Sequence, residues 1–406
     1  MCLLLVSCQP SVLDSTVGET AEPTVSLTSS NASPDFTEQP AIVPESSTST
    51  PAQAVQPFIP PTIALETAPV SLPAALIIES VADNQLPGFW ILDDAGRLQW
   101  AASTSQVTDF DVSPDGKQVL YAEAGDIWML DLASGQINNV TETPERIEAV
   151  PRWWADREGF TCGSKSRSEA TDFSYGQPTY VGFDGEYQVL DDVRLSTVPI
   201  GGPDGETFAY AGSTEAGDVN FYLYREDQGR EEVDLAAYGL EEQWVDGISW
   251  SPDGQRIGLV TLQPDAEAQR THENIVVLDL NEGTARILKT FWMFGTGSHW
   301  QNAPQWSASG DWLVFTVDAA AEDMASPGEF SLWLTPRDRE PQRISTDASD
   351  RILRGPPTIS PNEQWIAAPA DQGIVLVKVR TERTVLWPLP YPLYQVGWLT
   401  VNGEQE

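Results

Sequence analysis

The chain has 406 residues and a net charge of −38, and 41% of its residues are hydrophobic. The negative charge argues against binding of nucleic acid or of anionic lipid headgroups, because like charges repel across the contact. It favours solubility and suits a solvated acidic surface outside the cell.

The first eight residues resemble the lipobox of a bacterial lipoprotein signal, in which the cysteine is acylated and becomes the mature N-terminus. An apolar run from Leu3 leads to Leu-Val-Ser and then to Cys8. The alternatives are an ordinary secretory signal or a chance apolar beginning. We expect lipidation at Cys8 and therefore anchoring to the outer surface of a bacterial membrane, with a secreted protein as the alternative.

Residues 9–73 consist mainly of Ser, Thr, Pro, Ala and Glu, and they contain no Lys or Arg. Such a stretch buries too little apolar surface to offset the entropy of ordering. The composition predicts a disordered linker that spans roughly 40–50 Å root-mean-square. Residues 74–406 are left for a folded domain.

A four-residue turn recurs seven times along the rest of the chain. Proline fixes the first corner of such a turn, Asp caps the backbone, and Gly takes a positive φ. The copies lie at 113–116, 155–158, 202–205, 251–254, 307–310, 360–363 and 400–403, and SPDG at 113–116 and 251–254 is the clearest form.

Each turn joins two short β-rich runs, and a third and fourth run follow. In the first unit these are 108–112, 118–122, 127–130 and the segment after residue 131. Four antiparallel strands make one blade of a β-propeller. Six units are complete between about 106 and 389. The segment 394–403 supplies one more first strand, and runs near 75–79, 89–92 and 98–101 supply its partners.

The sequence therefore predicts an all-β fold, a seven-bladed β-propeller whose N- and C-terminal strands share one blade. Six blades is the alternative, if the N-terminal strands pack elsewhere. The turns and the strand order resemble the TolB-type propellers, whose WD-like repeats carry a Ser-Pro-Asp-Gly turn, over roughly residues 74–406. The resemblance implies the fold and says little about function. TolB itself has an α/β domain before its propeller, and nothing helical precedes this one, so TolB's partners do not transfer.

Connections from strand two to strand three and from blade to blade lie on the face opposite the Pro-Asp-Gly turns. Insertions accumulate there, at 163–178, 262–273, 289–302 and 318–329. Long loops on a rigid scaffold usually carry function, and aromatic side chains beside polar ones suit sugar rings or a protein hot spot. The alternative is that Trp292 and Phe294 extend the packing between blades. The candidate contacts are Trp244, Arg270, His272, Trp292, Phe294, His299 and Trp300.

Other tryptophans recur at equivalent strand positions, which predicts a place in the core between blades rather than in a binding array. They are Trp90, Trp128, Trp250, Trp306, Trp333 and Trp398. By the same argument Asp115, Asp204 and Asp253 are turn residues and not catalytic carboxylates. Cys162 has no partner within the folded domain, so we expect a buried structural thiol.

The sequence predicts no catalytic group, no metal site and no cofactor. Neither histidine lies at a zinc spacing, and no nucleophile elbow, phosphate-binding loop or EF-hand loop occurs. We expect a monomeric, non-catalytic binding or scaffold protein that presents a propeller face to an envelope protein or glycan. The alternative is a propeller enzyme that cleaves glycans with dispersed acids at the channel mouth, with Asp109, Glu148 and Asp246 as candidates.

Overall fold

The structure is a computed structural model of the chain. It describes residues 62–64, 70–80, 88–104, 107–154, 158–170, 174–214, 219–268, 270–292, 303–318, 330–336, 339–344, 353, 355–389, 393 and 395–399. These residues are almost entirely in β-strands. Two short 3₁₀ helices, Arg167–Glu169 and Leu235–Tyr238, complete the regular structure. No helix within these ranges is long and apolar enough to cross a membrane.

Thirty strands follow each other along the described chain. The first four are β1 (Thr62–Ala64), β2 (Leu76–Ser80), β3 (Gly88–Leu92) and β4 (Arg97–Ser103). Blade 1 consists of β5 (Val107–Val112), β6 (Gln118–Glu123), β7 (Asp126–Asp131) and β8 (Ile137–Asn139). Blade 2 consists of β9 (Arg146–Trp153), β10 (Gly159–Ser166), β11 (Gln177–Gly182) and β12 (Tyr187–Val189). Blade 3 has a divided inner strand, β13 (Arg194–Leu195) and β14 (Ile200–Gly201), followed by β15 (Thr207–Ser213), β16 (Val219–Arg225) and β17 (Gly229–Val233).

The remaining strands build the second half of the domain. Blade 4 consists of β18 (Trp244–Trp250), β19 (Arg256–Asp265), β20 (Arg270–Asp279) and β21 (Thr284–Trp292). Blade 5 consists of β22 (Gln305–Trp306), β23 (Trp312–Asp318), β24 (Phe330–Pro336) and β25 (Gln342–Ile344). Blade 6 consists of β26 (Thr358–Ile359), β27 (Trp365–Ala370), β28 (Gly373–Lys378) and β29 (Arg383–Pro388). The last strand is β30 (Gln395–Trp398).

The two ends of the domain meet in blade 7. Strand β30 pairs antiparallel with β2, in a register that sets Val396 opposite Ile78, and β3 and β4 follow outward. The inner strands contact each other around a ring, from β5 through β9, β14, β18, β22 and β26 to β30, and β30 contacts β5 again. The predicted seven-bladed propeller with a shared closing blade is confirmed, and the six-bladed alternative is wrong.

Blade 7 carries a fifth strand at its outer edge. Strand β1 pairs antiparallel with β4 and sets Ile63 opposite Leu98. This strand lies within residues 9–73, which the sequence analysis assigns to the linker. The sheet therefore takes in residues upstream of position 74.

The Ser-Pro-Asp-Gly turns have the chemistry expected of them. In the first turn the Ser113 hydroxyl donates to Asp115 Oδ1 at 2.7 Å, and the amide of Gly116 donates to the carbonyl of Ser113 at 2.8 Å. Gly116 has φ 69°, which suits the residue without a Cβ atom. The hydrogen bond from Ser113 holds the pKa of Asp115 below its usual range. These contacts keep the turns short and regular.

The hydrophobic core lies between neighbouring blades, and tryptophan indoles join the blades within it. Trp250 of blade 4 donates its indole N–H to the carbonyl of Ile200 in blade 3 at 3.1 Å. Trp398 of blade 7 donates in the same way to Thr358 of blade 6 at 3.2 Å. These bonds agree with the predicted place between blades for Trp250 and Trp398, although both also line the channel described below.

Candidate functional site

The two middle strands of blade 4 continue past its inner strand. Strand β18 begins at Trp244, which pairs with Leu262 of β19, but β19 and β20 go on pairing as far as Asp265 opposite Arg270. The prediction of an irregular insertion over 262–273 is wrong for this reason. The segment is a hairpin extension, and it lies at the end of the blade opposite the Pro-Asp-Gly turn.

Three candidate residues meet on this extension. His272 lies opposite Trp292 across β20 and β21, and their rings stack with centroids 3.9 Å apart and planes at 26°. The Arg270 guanidinium carbon lies 5.7 Å from the centre of the Trp292 ring, within the range of a cation–π contact. We call Arg270, His272 and Trp292 the blade-4 stack.

The side chains of the blade-4 stack differ in exposure and in their neighbours. Arg270 is exposed, whereas His272 and Trp292 are half-buried. Asp265 lies 3.6 Å from His272 Nε2 and accepts a hydrogen bond from the amide of Ala268 at 2.9 Å. That amide and the neighbouring His272 hold the pKa of Asp265 below its usual range. The carboxylate therefore stays ionised beside the histidine.

The other predicted contact residues are not part of this stack. Trp244 lies in the row of the sheet next to that of His272, and neighbouring rows direct their side chains to opposite faces. Trp244 lines a separate depression of about 180 Å³ with Asn220 and Glu232 of blade 3. Phe294, His299 and Trp300 lie outside the described residues, as does the predicted lipidation site at Cys8.

The inner strands surround a second candidate site, a channel cavity of about 540 Å³. Tryptophans such as Trp250 and Trp306 form its wall near the Pro-Asp-Gly turns, and prolines of those turns complete the rim. Its polar wall is made of Asp109, Asp111, Arg152, Asp246, Gln305 and Gln395. The cavity thus combines an aromatic end with an acidic middle.

Asp109 is a buried acid of the channel that two neighbouring blades contact. Arg152 of blade 2 donates to Asp109 Oδ2 at 2.5 Å, and Gln395 of blade 7 donates to Asp109 Oδ1 at 3.3 Å. Burial lowers the pKa of Arg152, but the attraction of Asp109 and Asp111 outweighs it, so the pKa of Arg152 is raised. This ion pair joins blades 1, 2 and 7 at the axis.

Two further carboxyl groups near the axis are shifted towards neutrality. Burial, with a contribution from Asp109, raises the pKa of Glu79 to about 7. Burial also raises the pKa of Asp111 to about 6, although Arg152 and the amide of Trp153 oppose it. Groups that titrate in this range can give and take protons at physiological pH. The sequence analysis did not single out Glu79, although an acid at the end of the apolar run 75–79 was a usable signal.

The three acids proposed from the sequence do not share one pocket. Asp109 and Asp246 line the channel, whereas Glu148 is not in its wall. Glu148 is 1% exposed and accepts hydrogen bonds from Thr143 at 2.6 Å and from Tyr187 at 3.1 Å. Burial raises the pKa of Glu148. Its partners make it a structural group, so the three-acid version of the enzyme hypothesis is wrong.

The described part of the chain was searched for metal-ligating groups and for a reactive thiol. Within it, no three or more His, Cys, Asp or Glu side chains are grouped so as to hold a metal ion. Cys162 is fully buried, and burial raises the pKa of its thiol well above the ordinary value. The prediction of a buried structural thiol is confirmed.

Comparison with known proteins supports the fold alone. No protein-family model and no curated protein sequence matches the chain. Among solved structures, an oligogalacturonate lyase in complex with manganese superposes with a TM-score of 0.52 at 18% identity, over 71% of this chain and 81% of the lyase. A puromycin hydrolase superposes with a TM-score of 0.54 at 14% identity, over 79% of this chain and 53% of that protein.

TolB from Acinetobacter baumannii also matches, with a TM-score of 0.44 at 13% identity, over 80% of this chain and 66% of TolB. These identities are too low to transfer an activity. The chain is a seven-bladed β-propeller with one candidate site on the extension of blade 4 and another in its channel.

Proposed function

We propose that this protein is a non-catalytic binding or scaffold protein that presents the extension of blade 4 to an envelope protein or glycan. The observation that carries the proposal is the blade-4 stack, in which Arg270 lies over Trp292 and Trp292 lies against His272. Aromatic rings beside an exposed cation are the side chains on which recognition of sugars and of protein surfaces most often depends.

The stack is a preorganised surface. Trp292 and His272 are cross-strand neighbours, and Asp265, opposite Arg270, lies 3.6 Å from His272 Nε2. Fixing side chains before binding lowers the entropy lost when a partner docks. In a chain with a net charge of −38, an exposed Arg270 also offers a local cation for an anionic group of the partner.

The proposal includes an address outside the cytoplasmic membrane, with a lipid on Cys8. It is supported by the apolar run before Cys8 and by the composition of residues 9–73, which suits a spacer between membrane and domain. The test is metabolic labelling with a fatty acid in a bacterial host. We expect label and membrane association in the wild-type chain and neither in Cys8→Ala. Membrane association of an unlabelled Cys8→Ala variant would overturn the anchor.

The partner is sought by affinity capture. The full chain is immobilised and exposed to solubilised envelope extract and, separately, to envelope glycans, and the retained material is identified by mass spectrometry. We expect one stoichiometric partner that the Arg270→Ala/Trp292→Ala variant retains poorly. Ile287→Ala is the matched control, because Ile287 is an exposed apolar residue on the same strand at 46% exposure. Equal retention by wild type and double variant would overturn the proposal.

A second candidate function is a channel enzyme that acts on glycans. It is supported by the carboxyl groups of Asp109, Asp111 and Asp246 around one cavity with Arg152. An oligogalacturonate lyase with the same fold makes oligogalacturonates a rational first substrate. Turnover that is lost in Asp111→Asn, with folding unchanged, would favour this function over the first.

A further inference from the structure

A second cavity, of about 260 Å³, lies between blades 4 and 5. In blade 4 its wall includes Arg256 and Arg286, and in blade 5 it includes Trp306 and Thr335. Gly258 lies against the indole of Trp306, because a Cβ atom on it would be 3.1 Å from Trp306 Nε1. We call this the inter-blade cavity.

Trp306 departs from the pattern of the other inner-strand tryptophans. These tryptophans lie at or near the end of an inner strand, and three of them donate the indole N–H to a carbonyl of the preceding blade. These bonds are Trp153 to Asp111 at 3.2 Å, Trp250 to Ile200 at 3.1 Å and Trp398 to Thr358 at 3.2 Å. In Trp306 the same nitrogen is buried and has no hydrogen-bond partner among the described residues. Trp306 lines the inter-blade cavity as well as the channel.

Thr335 provides a second unpaired donor. It lies in the same row of blade 5 as Trp306, with Leu313 between them, so both side chains are on one face of the blade. Thr335 is 2% exposed, and its Oγ1 atom has no hydrogen-bond partner within the described ranges. A buried hydroxyl without a partner is destabilising.

Arg256 completes the set. It is 6% exposed and lies with its guanidinium carbon 4.8 Å from the centre of the Trp306 ring. Its Nη2 atom donates to Asp253 at 3.3 Å and to the carbonyl of Gly310 at 3.1 Å. Both bonds come from Nη2, and Nε and Nη1 are further donors of the same guanidinium.

Two acidic residues, Asp279 and Glu282, also line the cavity, and Asp253 lies beside Arg256. Asp279 Oδ1 accepts the amides of Asn281 at 3.0 Å and Glu282 at 2.9 Å, and Asp253 accepts from Ser251 and Arg256. The indole N–H of Trp306 and the N–H groups of Arg256 can only donate, and the hydroxyl of Thr335 can also donate. A carboxylate or phosphate offers several acceptor atoms and matches the fork of an arginine.

We propose that the inter-blade cavity is a binding site for a small oxyanion, a carboxylate or a phosphate. Arg256, the indole N–H of Trp306 and the hydroxyl of Thr335 hold the anion, and Arg286 lies in the same wall. The site is separate from the blade-4 stack and does not depend on the function proposed above.

The experiment follows thermal unfolding of the full chain as a function of added anion. Sodium phosphate and sodium malonate are titrated separately, and sodium chloride at matched ionic strength is the reference. We expect a saturable rise in Tm with at least one of them, of about 5 °C at a hundred-fold excess over Kd. Whether phosphate or malonate raises Tm shows which of the two anion classes the cavity binds. No rise beyond that in chloride with either anion would overturn the proposal and leave a water-filled cavity.

Two variants remove single donors and keep the shape. Trp306→Phe removes the indole N–H, and Thr335→Val removes the hydroxyl. We expect each variant to bind the anion at least ten-fold more weakly, so that the rise in Tm requires higher anion concentrations. Trp250→Phe is the control, since its indole N–H is bound to Ile200. Should Trp306→Phe fail to fold, Thr335→Val alone decides. An unchanged titration in Thr335→Val, or the same weakening in Trp250→Phe, would overturn the site.

Discussion

The indole N–H of Trp398 donates a 3.2 Å hydrogen bond to the carbonyl of Thr358, which joins the last strand of the chain to blade 6. Trp398 is 7% exposed, and its strand pairs on the other side with β2 near the beginning of the domain. Trp398 therefore takes part both in the contact between blades 6 and 7 and in the strand pairing that joins the two ends of the domain. The stability of the ring should depend on it more than on a tryptophan at the outer edge of a blade.

We expect Trp398→Phe to lower the free energy of unfolding by about 1–3 kcal/mol, because it leaves the Thr358 carbonyl unpaired. Trp398→Ala should cost about 3–5 kcal/mol, since it also leaves a cavity. Urea denaturation of both variants measures the two costs. Equal costs for Phe and Ala would show that the packing of the ring adds nothing beyond the hydrogen bond, against this expectation.

The axial ion pair gives a second stability prediction. Arg152→Met leaves Asp109, 1% exposed, without its cation, and loss of one partner of a buried pair costs about 3–5 kcal/mol. The double variant Asp109→Asn/Arg152→Met should be more stable than Arg152→Met alone, because no unpaired charge remains. Thermal unfolding of the three proteins checks the order. A double variant less stable than Arg152→Met would contradict it.

The pKa of Glu79 predicts a pH dependence. Its pKa rises from 4.5 to about 7 on folding, so the native state binds the proton more tightly than the unfolded chain. The stabilising contribution is fully present below about pH 4.5 and is lost as pH rises through 7, a change of about 3 kcal/mol. Glu79→Gln should flatten the loss of stability between pH 5 and pH 7.5. A variant with the slope of the wild type would exclude Glu79 as its source.

The turns give the most local prediction. Ser251 is fully buried, and its hydroxyl accepts from the amide of Arg256 at 2.9 Å and donates to Asp253. Ser251→Ala should cost about 1–2 kcal/mol, as the loss of a cap does elsewhere. Ser134→Ala, in an exposed turn of blade 1, is the control and should cost under about 0.5 kcal/mol. Equal effects would mean that the hydroxyl of Ser251 is not the stabilising group.

Local chemistry explains why the fold could be predicted from the sequence. A Ser-Pro-Asp-Gly turn needs only its own residues to form, and an alternating strand beside it needs only a neighbour. The number of repeats and the leftover strand at each end then required a shared blade. The extension of blade 4 was missed because Pro264 and Asp265 favour a loop by composition, whereas pairing with Thr271 and Arg270 keeps them in the sheet.

The site depended on contacts that local pattern does not contain. Glu79 lies near the axis only because β2 pairs with β30 from the other end of the chain, opposite Gln395. Glu148 left the predicted acid cluster because β9 has an irregularity between Ala149 and Arg152, where Val150 has φ 52°. Such a bulge redirects the side chains before it, and no residue type announces it.

The central claim is that the blade-4 stack binds the partner. The most direct measurement is the Kd of the captured partner for the full-length wild type, for Arg270→Ala/Trp292→Ala and for Ile287→Ala, with Tm measured on each protein. We predict about 30-fold weaker binding in the double variant, with Tm within about 2 °C of wild type, and unchanged binding in the control. Wild-type affinity in the double variant, or a loss of affinity that accompanies a large fall in Tm, would contradict the claim.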